Sequence, residues 1–242
     1  MSLVTTAGAT LAFLERHAPS APSRVLVAGA EDPEVAAALA ARGHDVTVVD
    51  ETIEPCEAPG ADRVRWVTSA FLYHDDPEPY DVAVFAWTLH RLAPVGRALD
   101  KARSLLAPDG LLLAEDVAFD RVNVHTARWL YDLESVLVAA GALRPPDPRD
   151  AAEGRPLLRW RQEHAAEPPL VTGHDLLAAA RERFALEAVE EAPYLFRYLA
   201  PRIVPGPHAP GLLSAIHEIE SRLVRERDLA AAGLRIAARR SG

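Results

Sequence analysis

The stretch that most constrains the fold of this chain is Ser23 to Asp50, SRVLVAGAEDPEVAAALAARGHDVTVVD. An apolar run, Val25 to Ala28, meets a turn at Gly29 and passes into an alanine-rich segment, Glu34 to Arg42, closed by Gly43. A second apolar run, Val46 to Val49, follows and ends on Asp50. Short runs of this kind suit strands buried on both faces, and a helix between two of them makes the strands parallel. That is the layout of a nucleotide-binding strand–helix–strand unit. Its turn is unusual, because Gly29-Ala30-Glu31-Asp32-Pro33 carries one glycine where such units usually carry two or three. Asp32, Pro33 and Glu34 offer instead an N-cap, a proline at the first helical position and an acid in the first turn. Glu31 and Asp32 stand where a pyrophosphate would sit and would repel it, so a dinucleotide is an unfavourable ligand. A ligand presenting an ammonium and a sulfonium suits this turn better.

Beyond Asp50 the alternation continues. Arg63 to Thr68, Tyr80 to Ala86 and Leu111 to Glu115 read as further strands. An amphipathic helix, Arg97 to Leu106, lies between the last two and is closed by Pro108-Asp109-Gly110. Leu3 to His17 carries apolar residues at helical spacing before the first strand. Strands alternating with helices of this length predict a doubly wound α/β domain with a mostly parallel sheet. Residues 121–141 read as a long helix, and 142–170, rich in proline, arginine and acids, show no clear period. Thr172 with Asp175 reads as a capping box opening another helix. Leu186 to Glu191, a helix from Leu212 to Arg227 and a closing strand, Leu234 to Ala238, complete the pattern. That strand has no helix after it to make a parallel crossover, so it is expected antiparallel beside Leu111–Glu115. The whole of 1–242 is expected to form one domain, with 119–172 as a lid insertion in which 142–170 is less ordered than the sheet when no substrate is bound.

Charge and composition narrow the function. A net charge of −9 disfavours nucleic-acid and anionic-membrane partners, both of which attract basic surfaces. The single cysteine, Cys56, excludes an intrachain disulfide and a cysteine-based zinc site. The run His74-Asp75-Asp76 lacks a third spaced ligand and reads as turn chemistry, so no metal is expected. The first twenty residues carry no basic leader, and no stretch reaches the roughly 18 apolar residues of a membrane span, so a cytoplasmic location is expected.

The order VLVAGAE, VTVVD, WVTSAF, YDVAVFAWTLHRL and ARSLLAPDGLLLAED, over about residues 23–116, resembles the class I S-adenosylmethionine-dependent methyltransferases. The resemblance implies a Rossmann-like sheet of seven strands in the order 3-2-1-4-5-7-6, with strand 7 antiparallel. It implies S-adenosylmethionine as cofactor and methyl transfer to a small-molecule acceptor. Gly29, Ala30 and Glu31 would line the methionine part, and Asp50 would accept the ribose hydroxyls. Ser69 and Ala70 would flank the adenine, and Phe85, Ala86 and Trp87 would close the pocket. The family's acid within the first strand is Val27 here, its second glycine is Glu31 and its adenine-contacting aspartate is Ser69. These departures keep open a methyltransferase-like protein that binds or cyclises a small molecule, or serves as a non-catalytic partner. A nicotinamide oxidoreductase is opposed by the acidic turn.

Methyl transfer to oxygen needs a nearby group to take the acceptor's proton. His90, just past the fourth strand, is a candidate base or substrate contact; the plainer reading is a surface residue at a helix start. His174 and Tyr194 are further candidates, His174 with an exposed or capping role as its plainer reading. Arg197 and Tyr198, beside Tyr194, are candidate substrate contacts or helix packing. His125, Trp129, Tyr131, Trp160 and His164 lie in the expected insertion.

Overall fold

The computed structural model describes residues 4–53, 57–146, 155–165 and 169–241, and Cys56 and Pro148 lie outside them. The chain forms two compact units. The larger comprises Ala7–Val117, Val171–Glu190 and Leu234–Gly242, and the smaller Met1–Thr6, Ala118–Leu170 and Glu191–Gly233.

In the larger unit the elements follow in the order α1 Thr6–His17, β1 Arg24–Ala28, α2 Pro33–Ala41, β2 Asp45–Asp50, β3 Arg65–Thr68, β4 Tyr80–Ala86, α3 Val95–Leu105 and β5 Leu106–Val117. The sheet pairs β1 with β2 and β4, β2 with β3, and β4 with β5, all parallel. The chain returns to it through α6 Gly173–Arg183, β6 Phe184–Ala192 and finally β7 Gly233–Arg240. The strand order is β3-β2-β1-β4-β5-β7-β6 with β7 antiparallel, as the resemblance implies.

Both faces of the sheet are covered. Val25 and Val27 of β1, Val46 and Val48 of β2, Val82 and Val84 of β4, and Leu111 and Leu113 of β5 share one core with Phe13 and Leu14 of α1 and Val35 and Leu39 of α2. The alternate residues Leu26, Ala28, Ala83, Phe85, Leu112 and Ala114 are buried as well. On that face Phe71 meets Phe85 edge-on at 5.1 Å, and α3 packs against α6. Continuous apolar runs, rather than alternating ones, are what a parallel sheet buried on both sides requires.

Two local expectations are corrected. The Pro108-Asp109-Gly110 turn does not precede β5 but lies within it. Tyr80 pairs with Leu106 and Val82 with Leu111, so four residues of β5 bulge opposite one of β4, and Asp109 takes φ 61°. Asp32 stands at the N-cap of α2 with Pro33 behind it, yet its side chain makes no capping hydrogen bond. Thr172, in contrast, accepts from the Asp175 N–H at 3.0 Å and donates to the Asp175 carboxylate at 2.8 Å.

The smaller unit holds α4 Val124–Ala139, α5 Pro156–Glu163, α7 Phe196–Leu199 and α8 Ala209–Arg225. Of the segment 142–170, which showed no period in sequence, residues 147–154 and 166–168 lie outside the description, and 156–163 is helical. Pro156 fits its first turn, and Trp160 anchors it, 1% exposed and donating from Nε1 to the Phe119 carbonyl at 2.9 Å. Eight residues show too few turns for a periodic pattern to stand out. Glu134, buried on α4, pairs with Arg159 and Arg202, and the Tyr131 hydroxyl donates to Glu163 at 2.6 Å.

Candidate functional site

Gly29, Ala30 and Glu31 follow the carboxyl end of β1, Asp50 ends β2, Ser69 and Ala70 follow β3, and Phe85, Ala86, Trp87 and His90 lie at or just past the end of β4. In an open α/β sheet the ligand crevice lies beyond these ends, where the strand order reverses between β1 and β4. Gly29, directly after β1, has φ +94°. A Cβ there would come within 2.2 Å of Thr88 Oγ1, so the position demands glycine twice over. The Thr88 hydroxyl lies 2.8 Å from the Ala28 carbonyl and 3.1 Å from that of Ala86, tying the ends of β1 and β4 together.

Asp50 ends β2 and turns its carboxylate back to the turn after β1. Oδ2 accepts from the Ala30 N–H at 2.9 Å, and Oδ1 from the Thr52 N–H at 2.7 Å. Each carboxylate oxygen retains a lone pair for a further donor. Such an oriented, half-buried acid fits the two hydroxyls of a ribose. Ser69 donates its N–H to the Asp50 carbonyl at 2.9 Å, which places it and Ala70 beside Asp50 at the end of β3.

Glu31 ion-pairs with Arg91, sixty residues on. The acid that replaces a glycine is therefore partly neutralised. Phe85 is 1% exposed and belongs to the core, so only its backbone reaches the edge of the sheet. Ala86 is buried, and Trp87 sits in the left-handed region at φ 65°, its N–H held by the Glu115 carbonyl at 3.0 Å. A bulky residue held there costs on the order of 1–3 kcal/mol, a conformation concentrated at functional sites.

His90 is not the surface residue of its plainer reading. It is 7% exposed, and Asp116, at the end of β5, is fully buried against it. His90 Nδ1 lies 2.6 Å from Asp116 Oδ1, and the His90 N–H donates to Oδ2 at 3.1 Å. Oδ1 also accepts from the Val117 N–H at 2.7 Å. A carboxylate can only accept, so Nδ1 carries a proton, and in the neutral imidazole Nε2 is then the nitrogen that presents a lone pair. No hydrogen bond to Nε2 exists among the described residues. This is the orientation of a general base.

Asp116 was missed in the sequence, where LLLAED reads only as a strand closing on acids. Glu115 beside it is a structural group. It accepts from Thr10 Oγ1 at 2.5 Å and pairs with Arg235 at 2.6 Å, joining α1, β5 and β7. His174 is exposed in the first turn of α6, as its plainer reading holds. Tyr194 belongs to the smaller unit, is 1% exposed, and donates its N–H to Glu220 at 2.6 Å. Arg197 is buried beside the Tyr194 and Phe196 rings.

The acids of His74-Asp75-Asp76 are taken by cations of the chain. Asp76 pairs with Arg24 and Arg65 and accepts from Tyr80, and Asp75 pairs with Lys101. Burial pushes the Asp76 carboxyl upward, but hydrogen bonds from Arg65, the Glu78 N–H, Tyr80 and Arg24 outweigh it and hold the group far below the usual range. No three His, Cys, Asp or Glu side chains gather as a metal set among the described residues.

A sheet of this order, with a glycine turn after β1 and an acid closing β2, defines the Rossmann-like fold shared by class I methyltransferases. Residues 6–190 match the family model described as Methyltransferase domain, and the chain belongs to that family. It is similar in structure to geranyl diphosphate C-methyltransferase from Streptomyces coelicolor A3(2), solved with Mg2+, geranyl diphosphate and S-adenosyl-L-homocysteine. That likeness has 14% identity and TM-score 0.55, covering 96% of this chain and 80% of that one. The 1,6-didemethyltoxoflavin-N1-methyltransferase of Burkholderia thailandensis, bound to 1,6-didemethyltoxoflavin and S-adenosylhomocysteine, has 19% identity and TM-score 0.51, over 98% and 79%. The [4+2]-cyclase SpnF has 15% identity and TM-score 0.55, over 97% and 81%. Identities this low bear on the fold alone. No curated protein sequence matches.

Proposed function

We propose that this protein methylates a small-molecule acceptor through an ionisable O–H or N–H, with S-adenosylmethionine as methyl donor and His90 as the base. The observation that carries this reading is the buried His90–Asp116 pair at the carboxyl ends of β4 and β5. Asp50 would hold the ribose hydroxyls, the turn from Gly29 to Glu31 would run beside the methionine part, and Ser69 and Ala70 would flank the adenine. Bound there, S-adenosylmethionine supplies an electrophilic methyl group. His90 Nε2 takes the acceptor's proton, and Asp116 stabilises the imidazolium that forms. The net charge of −9 favours a small acceptor over nucleic acid.

A panel of small phenols, carboxylic acids and amines, with release of S-adenosylhomocysteine followed by mass spectrometry, tests the activity. His90→Gln is expected to lower kcat by about 10²–10⁴, the range of a general base, with cofactor affinity unchanged. A variant that turns over like wild type would remove His90 from the mechanism.

A second reading rests on the turn. Glu31 paired to Arg91, with Ser69 in place of an aspartate, fits a protein that keeps the fold without methylating. Cofactor binding without methyl transfer to any acceptor of the panel would favour it.

The lid role expected of residues 119–172 belongs to the proposal too. Limited proteolysis should cut 142–170 before the sheet in the unliganded protein, and equal protection of both would count against it.

A further inference from the structure

Two turns meet where the strand order of the larger unit reverses, one after β1 and one after β4. The first carries Glu31 and the second Arg91. Their side chains form an ion pair, 37% of the glutamate and 54% of the arginine remaining exposed.

The pair is not needed to join the turns. Thr88 Oγ1 already reaches the Ala28 and Ala86 carbonyls, and the strands beneath pair in register from Val25–Val82 to Ala28–Phe85. Exposed ion pairs contribute little to stability. Neither side chain has another ion-pair partner among the described residues, so each is committed to the other alone.

The backbone behind both residues is held. The His90 N–H donates to Asp116 at 3.1 Å, the His90 carbonyl accepts from the Val171 N–H at 2.7 Å, and the Arg91 N–H donates to the Thr88 carbonyl at 3.1 Å. On the other side Asp50 accepts from the Ala30 N–H at 2.9 Å. Opposite charges are thus presented from fixed backbone at the head of the crevice, on long side chains that solvent reaches. Turning them apart requires no change in the fold.

We propose that Glu31 and Arg91 exchange their ion pair for the amino-acid end of the cofactor, Arg91 taking its carboxylate and Glu31 its ammonium. This rests on the reading that S-adenosylmethionine occupies the crevice beyond β1 and β2. An α-amino-acid group carries both charges on one carbon, so a carboxylate–guanidinium pair matches it charge for charge. One ion pair becomes two, the amino-acid end adds no net charge, and the guanidinium fork fits both oxygens of a carboxylate. A ligand that lacks this end gains nothing from the exchange. The pair therefore sorts the intact cofactor from adenosine thioethers that have lost their amino-acid end.

The test is calorimetric titration of S-adenosylhomocysteine and of 5′-methylthioadenosine, which keeps the adenosine and the sulfur and lacks the amino-acid end. Wild type is compared with Arg91→Gln, Arg91→Lys and Glu31→Gln in the full-length protein. Arg91→Gln and Glu31→Gln are each expected to bind S-adenosylhomocysteine about tenfold or more weakly, the loss of a charge-assisted hydrogen bond, with 5′-methylthioadenosine binding unchanged. Arg91→Lys, which keeps the charge and loses the fork, should fall between wild type and Arg91→Gln. An Arg91→Gln variant that binds S-adenosylhomocysteine as well as wild type, or that loses both ligands equally, overturns the proposal and leaves the cofactor reading standing. Binding of neither ligand by wild type at millimolar concentration overturns both.

Discussion

Gly29 shows how much one residue settles at the site. Its φ of +94° and the 2.2 Å approach of Thr88 Oγ1 act together, so an alanine there meets both a left-handed backbone penalty and a collision. The backbone term alone is about 1–2 kcal/mol. Gly29→Ala is expected to lower the melting temperature, and adding Thr88→Ala should recover part of the loss by removing the colliding hydroxyl. A double variant no more stable than the single one would show that Thr88 is not the obstacle. Gly29 and Asp50 were legible in sequence because each sits at a fixed offset from an apolar strand. Asp116 was not. Its meaning depends on the parallel register of β4 and β5, which sets Ala86 beside Glu115 and so brings the next acid to His90. The Glu31–Arg91 pair was hidden for the same reason, since sixty residues separate its partners.

Among the elements, the segment that opens α7 hangs on one buried acid. Glu220 of α8 is 1% exposed and accepts N–H bonds from Tyr194 at 2.6 Å, Leu195 at 2.8 Å and Phe196 at 2.9 Å. Burial outweighs the downward pull of the three N–H groups and Arg197 and leaves its carboxyl raised to about 7. The native state therefore holds a proton that the unfolded chain releases near 4.5. Glu220 makes stability fall as pH rises from about 4.5 to about 7, with no further change from this group above that. Each pKa unit corresponds to about 1.4 kcal/mol, so the effect is on the order of 3 kcal/mol. Urea unfolding of wild type and Glu220→Gln across this window should show the slope in their difference, and parallel curves would refute it. Nothing in the sequence announces this link, because a glutamate in an amphipathic helix reads as part of its solvated face. Helices and strands of the larger unit were legible because their periods run long enough to recognise. The misplaced start of β5 has another cause. Proline, aspartate and glycine do signal a chain reversal, but here it is absorbed as a bulge within a strand already begun.

For the molecule as a whole, the sheet order followed from a repeated strand–helix rhythm and a final strand without a crossover helix, and the structure has that order. The division into two units was not legible, because the smaller one gathers residues 118–170 and 191–233 from either side of α6 and most of β6. The central claim is that the crevice beyond β1 and β2 serves S-adenosylmethionine and not a dinucleotide. Calorimetric titration of S-adenosylhomocysteine and NAD into wild type and Asp50→Ala tests it most directly. Ser69 in place of an aspartate removes one hydrogen bond of about 0.5–1.5 kcal/mol, so binding should be weakened by up to about tenfold and not abolished. Asp50→Ala should lose more, about 1.5–3 kcal/mol, because its bonds are to a charged group. Measurable S-adenosylhomocysteine binding in wild type, a clear loss in Asp50→Ala and no heat from NAD is the predicted result. No S-adenosylhomocysteine binding at millimolar concentration, or an Asp50→Ala variant that binds as well as wild type, would contradict it.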